Sequence, residues 1–194
     1  MAFTERFDRA LVLAHALHRK QLRKGTRVPY VVHLMSVAAL VAENGGTETQ
    51  VIAALLHDAV EDQGGEPTAQ RIKREFGPNV HRIVMGCTDS ITQNPAEKLP
   101  WEERKRAYIE HLKGAPAEMR LVSAADKVHN ARSINADLRA QGAEVWAKFK
   151  GGRDGTLWYY KSLVKALREG WEHPIIELLD REVREMTKLS KDPA

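Results

Sequence analysis

Residues 53–65 read AALLHDAVEDQGG, which sets His57, Asp58, Glu61 and Asp62 at the end of an otherwise apolar helix. Leu55, Leu56 and Val60 belong in a core. Partial burial of imidazole and carboxylate groups beside them is unfavourable unless something pairs with them, and the simplest common partner for such a set is a metal cation. At helical spacing Glu61 stacks over His57 and Asp62 over Asp58, so one helix end offers two ligand candidates, His57 and Asp58, and two acid/base candidates, Glu61 and Asp62. More ligands are needed, and two stand in apolar settings: His33 in YVVHLMSVA and Asp126 in VSAADKVHN. Asp126, in mid-helix among small apolar neighbours, is a poor helix former without a partner. Two imidazoles and two carboxylates make a mixed nitrogen and oxygen site, suited to Mn, Fe or Co rather than to a structural zinc.

The elements that must position these groups read as helices throughout. Phe7, Ala10, Leu11, Ala14 and Leu17 follow helical spacing from the N-cap Thr4 to about Arg23, where KGTRVPY breaks the run. A second helix is expected over 32–43, stopped by NGG, and a third from Thr47 with Gln50 as its capping partner, ending in EDQGG. A fourth runs to Phe76, where FGP ends it, and a fifth covers 79–91, overlapped by a loop over 88–100. Helices follow at 101–112 and 116–138, then a short helix and turn, then apolar-periodic stretches at 155–169 and 174–189. Nothing alternates with period two and no repeat occurs at a fixed period. The expectation is an all-α single domain, residues 1–194, with a core of about 4–170 and a C-terminal helix of about 174–190.

Composition narrows the function classes. A chain of 194 residues, 43% hydrophobic and 29% charged, has the balance of an ordinary globular domain rather than a disordered one. The single Cys87 excludes an internal disulfide framework and leads us to expect a cytoplasmic protein. No apolar run reaches the roughly 20 residues that span a bilayer, so no membrane partner is expected. The net charge of +4 is a mild excess that is compatible with a small anionic partner without pointing to one, and its scattered residues form no basic stripe of the kind nucleic-acid binding calls for. The sequence leaves a homo-oligomer open without indicating one.

RKGTRVPYVVHLMSVA, AALLHDAVED, FGPNVHRIVMGCTD and AADKVHNARSI, in this order, resemble the HD-domain metal-dependent phosphohydrolases. More narrowly, they resemble the hydrolase domain of the RelA/SpoT proteins and the small alarmone hydrolases. The likeness covers about residues 4–170 and implies a helical bundle of about nine to ten helices. It further implies that His33, His57, Asp58 and Asp126 hold one divalent metal ion, usually Mn2+, with Fe2+ or Co2+ as substitutes, and that Glu61 and Asp62 handle the attacking water. Arg23 and Lys24 match the basic pair that packs a guanine base, and Asn130 matches a residue that holds the sugar and phosphate. Lys98, Arg104 and Lys105 match more loosely basic residues that meet the pyrophosphate.

This chain departs from the family's pattern at His33-Leu34, where a proline usually follows the histidine, and most of all in segment 92–112. A divalent cation lowers the pKa of its bound water and polarises a phosphoryl oxygen, which suits hydrolysis of the 3′-pyrophosphate of (p)ppGpp to GDP or GTP and pyrophosphate. Length leads us to expect a stand-alone hydrolase with no synthetase domain. Two rivals remain at this level. One is an HD phosphohydrolase acting on a nucleoside monophosphate or on the 2′-phosphate of NADPH; the other is a nucleotide-binding HD module that does not hydrolyse.

Overall fold

The computed structural model describes residues 2–92, 94 and 98–191. Its helices are α1 (Glu5–Leu17), α2 (Tyr30–Glu43), α3 (Glu48–Leu56), α4 (Ala59–Asp62), α5 (Gly65–Cys87), α6 (Trp101–Lys113), α7 (Ala117–Gln141), α8 (Gly152–Arg168) and α9 (Pro174–Leu189), with a 3-10 helix at Gly142–Lys148. Among the described residues there is no strand, only an isolated antiparallel bridge between Leu22 and Pro29. The all-α expectation holds. The chain forms two compact units, the first from Met1–Lys98 and Pro116–Ala125, the second from Leu99–Ala115 and Asp126–Ala194, so that α7 contributes to both.

In the first unit α1 and α2 pack on α3, whose residues Val51 to Leu56 are all buried. A helix enclosed on every side needs an apolar sequence on every side, and VIAALL supplies it. Each buried leucine, isoleucine or valine there contributes about 1.5–3 kcal/mol. The first turn of α1 is fastened at both ends: Thr4 accepts from the Arg6 N–H, and its own N–H and hydroxyl donate to Glu48 at 2.6 and 2.7 Å.

Three boundaries differ from the sequence expectation. The first helix stops at Leu17 rather than near Arg23, because the chain turns at His18 and doubles back: the Tyr30 N–H donates to the Gln21 carbonyl at 2.9 Å and the Arg23 N–H to the Val28 carbonyl at 2.8 Å. Arg23 and Lys24 therefore lie in a two-armed loop and not at a helix end. The expected third helix is interrupted at His57 and Asp58, between α3 and α4. The expected fourth and fifth helices form one element, α5, bent at Gly77; its φ of +87° suits glycine, and Pro78 beyond it has no N–H to continue the ladder. Of the loop expected over 88–100, residues 93 and 95–97 lie outside the described residues.

In the second unit α6 and α9 both pack on α8. Trp101 lies edge-on to Trp158 and Tyr159, with ring centroids 6.3 and 6.2 Å away, and it covers Gly151 and Gly155 so closely that a Cβ on Gly151 would come within 2.6 Å of its ring. The aromatic residues of α8 thus build core, with Tyr159 and Tyr160 both buried.

Candidate active site and metal centre

The break between α3 and α4 carries His57 and Asp58, and one turn of α2 carries His33. His33 and His57 are 1% and 2% exposed, so their imidazoles are held inside the first unit. Their Nε2 atoms lie 3.5 and 2.9 Å from the same atom, Asp58 Oδ2, and ligand atoms of all three residues fall within 4.8 Å of one another. His57 Nδ1 lies 2.8 Å from the Ala54 carbonyl, which can only accept, so the proton sits on Nδ1 and the Nε2 lone pair faces the carboxylate. Nitrogen and oxygen lone pairs converging in a buried space call for positive charge among them, and this donor set suits a divalent cation. The Tyr30 hydroxyl donates to Asp58 Oδ2 at 2.6 Å, while its ring meets that of His33 edge-on at 5.3 Å.

The acidic pair follows on α4. Glu61 Oε2 accepts from the Asp89 N–H at 3.4 Å, and Glu61 Oε1 lies 3.9 Å from Lys98 Nζ, which brings one of the expected basic residues to the acidic pair. Asp62 Oδ2 accepts from Gln21 Nε2 at 2.8 Å. Burial raises the pKa of Asp62, the Asp58 charge raises it further, and the Gln21 hydrogen bond together with His18 and His57 offsets only part of this. A carboxyl with its pKa raised in this way accepts a proton more readily than an ordinary one. In the loop, the Arg23 guanidinium stands over the Tyr30 ring at 5.7 Å, while Lys24 is exposed.

The other expected residues lie in the second unit. Asp126 is buried on α7, with Lys127 Nζ 2.5 Å from Oδ2 and Asn130 Nδ2 donating to Oδ1 at 2.5 Å. Burial disfavours the Lys127 charge, but Asp126 together with Tyr159, Tyr108 and Tyr160 outweighs it and holds the lysine well above its ordinary pKa. Lys127 also stands 5.4 Å above the Tyr108 ring. Lys105 Nζ lies 5.1 Å from the Tyr159 ring centre, and Arg104 Nε donates to the Leu99 carbonyl at 3.3 Å.

Sequence reasoning left Tyr30, Gln21 and His18 without roles. Their signal was present: Tyr30 precedes His33 by three residues, placing both on one helix face, and Gln21 lies in the loop that carries Arg23 and Lys24.

These features define a class. A family model described as HD domain matches residues 10–157, and the chain belongs to that family. HD-domain hydrolases work with a divalent metal, and His33, His57 and Asp58 are the cluster among the described residues that can hold one. Within the family the chain is similar to guanosine-3′,5′-bis(diphosphate) 3′-pyrophosphohydrolase MESH1. It is 38% identical to the Xenopus tropicalis protein over 73% of this chain and 76% of that one, and 34% identical to the Mus musculus protein over 78% and 87%. The solved structure of a metazoan ortholog of SpoT that hydrolyses ppGpp superposes with a TM-score of 0.78 at 30% identity, covering 95% of this chain and 97% of that one. No helix among the described residues is long and apolar enough to cross a membrane.

Proposed function

We propose that this chain hydrolyses the 3′-pyrophosphate of (p)ppGpp, yielding GDP or GTP and pyrophosphate, and that it does so in the cytoplasm with Mn2+ as its metal. The observation that carries the reading is the convergence of His33, His57 and Tyr30 on one oxygen of Asp58, with Glu61 and Asp62 one turn further on. The likeness to MESH1 and to the SpoT ortholog supports the substrate. In this reading Asp126 completes the ligand set and residues 1–194 work as one HD-type domain.

A divalent cation bound by these residues would make water acidic enough to attack near neutral pH and would polarise a phosphoryl oxygen. Glu61 and Asp62 take the proton from the attacking water as its oxygen bonds to phosphorus, and return a proton to the ribose 3′-oxygen as the P–O bond breaks. Tyr30 holds Asp58 through its hydroxyl, and the Ala54 carbonyl fixes the His57 tautomer. Arg23 and Lys24 receive the guanine base, Asn130 the sugar and phosphate, and Lys98, Arg104 and Lys105 the pyrophosphate.

The test is pyrophosphate release from ppGpp by purified protein with Mn2+ added, beside Asp58→Ala and Glu61→Ala variants and an NADPH control. Rapid release from ppGpp that is lost in both variants is expected. Phosphate from NADPH or a nucleoside monophosphate, with no release from ppGpp, would retain the metal centre and discard this substrate.

A further inference from the structure

One side chain ties the 18–29 loop to the acidic pair. Gln21 Nε2 donates to Asp62 Oδ2 at 2.8 Å, Gln63 Nε2 donates to Gln21 Oε1 at 2.6 Å, and His18 Nδ1 lies 2.6 Å from that same oxygen. The orientation of the amide follows from its neighbours. An ionised carboxylate only accepts, so the NH2 group must face Asp62, which leaves the carbonyl oxygen for Gln63 and for an N–H of His18. His18 is thereby held as the Nδ1–H tautomer. Its ring is 2% exposed and stacks on Tyr30 at 5.2 Å, so the donor that locks Gln21 is itself locked. The backbone repeats the connection, because the Gln21 carbonyl accepts the N–H of Tyr30, whose hydroxyl reaches Asp58.

We infer that Gln21 is the positioning residue of the acid/base group: its amide, fixed by His18 and Gln63, holds Asp62 Oδ2 in the orientation needed to exchange a proton with the attacking water. The inference rests on the reading of Asp62 given above. Removing the Gln21 amide takes away the donor that sets the direction of Asp62 Oδ2, so the carboxylate loses its fixed orientation toward the attacking water. A residue that only fills space would keep its kcat when replaced by glutamate, which has the same size.

The experiment uses the full chain as wild type, Gln21→Ala, Gln21→Glu and Asp62→Asn. For each protein kcat and KM for ppGpp are measured with Mn2+ added, together with the affinity for Mn2+. In Gln21→Ala we expect kcat to fall about tenfold with KM and Mn2+ affinity unchanged. Gln21→Glu keeps the size and the acceptor for Gln63 and His18 but places a second carboxylate against Asp62. It should lower kcat further, with KM unchanged. A wild-type kcat in either Gln21 variant overturns the inference, as does a loss confined to KM or to Mn2+ affinity. An Asp62→Asn variant with full activity removes the acid/base reading and the inference with it, whereas an inactive Asp62→Asn beside wild-type-like Gln21 variants removes the inference alone.

Discussion

Tyr30 donates its hydroxyl hydrogen to the one carboxylate oxygen of Asp58 that both imidazoles approach. That bond orients the carboxylate without taking part in ligation. A partner of this kind typically accounts for about 10–100-fold in metal affinity, and Tyr30→Phe removes the bond while keeping the ring that stacks on His18. The expected result is a weaker Mn2+ affinity by that factor in a competition titration, with an unchanged melting temperature for the metal-free protein. Equal affinities in the two proteins would show that Asp58 is oriented by other contacts.

Lys127, its side chain 15% exposed, pairs with buried Asp126, and breaking such a pair by removing one member costs up to about 3–5 kcal/mol, because the other charge is left uncompensated. Lys127→Met should therefore lower the stability of metal-free protein markedly. If Asp126 is a metal ligand, added Mn2+ restores the missing positive charge, so the deficit shrinks when metal is present. Chemical denaturation with and without Mn2+ measures both, and an equal deficit in the two conditions would argue against ligation by Asp126.

Gly151 has an ordinary φ of −82°, so its requirement is for space and not for conformation. Gly151→Ala forces its new methyl group against Trp101, and overpacking of this sort costs about 1–3 kcal/mol. Gly152 presents the opposite case: nothing lies within 4 Å of a Cβ there, but its φ is +56°, and an alanine in that region costs about 1–2 kcal/mol. Urea titrations should show both losses. Only Gly151→Ala should also change the tryptophan fluorescence of the folded state.

Asp180 gives the protein a pH-dependent contribution. Burial alone would raise its pKa, but hydrogen bonds from Arg184 at 2.7 Å and Arg168 at 3.0 Å outweigh burial and hold it below the usual carboxylate value. A group whose pKa is lower in the folded state stabilises above its unfolded pKa, near 3.9, and that stabilisation disappears as pH falls through the folded value. Asp180→Asn should accordingly be less stable than wild type at pH 7 and approach it under acid. A difference that persists unchanged below pH 3 would assign the effect to packing.

Local periodicity and punctuation made most of the fold legible. Thr4, the NGG after Glu43, and Pro174 mark helix ends that the structure keeps at or within one residue. What periodicity could not show was where tertiary partners cut a run short. The apolar positions before His18 continue a helix on paper, but the loop between Leu17 and Tyr30 closes through backbone pairs that exist only once residues 28–30 have folded back. The break at His57 and Asp58 was hidden for a similar reason, since both residues are compatible with a helix. In the site, residue types exposed the ligands and the acidic pair. Tyr30 and Gln21 were missed because an uncharged side chain shows its purpose only through the oxygen it touches.

The way the chain is shared between its two compact units has a consequence for synthesis. The first unit is assembled from Met1–Lys98 and Pro116–Ala125, so it lacks a segment of its own until residue 125 has left the ribosome. Helix α6 emerges before that, yet the helix it packs against, α8, does not begin until Gly152. A nascent chain arrested between these points carries α6, with Tyr108, Ile109 and Leu112 that are buried in the finished fold, before the helix that packs against it exists. Neither unit is one contiguous piece of sequence: a chain cut after Lys98 lacks part of the first unit, and one cut after Ala125 carries the first unit whole with a stray piece of the second.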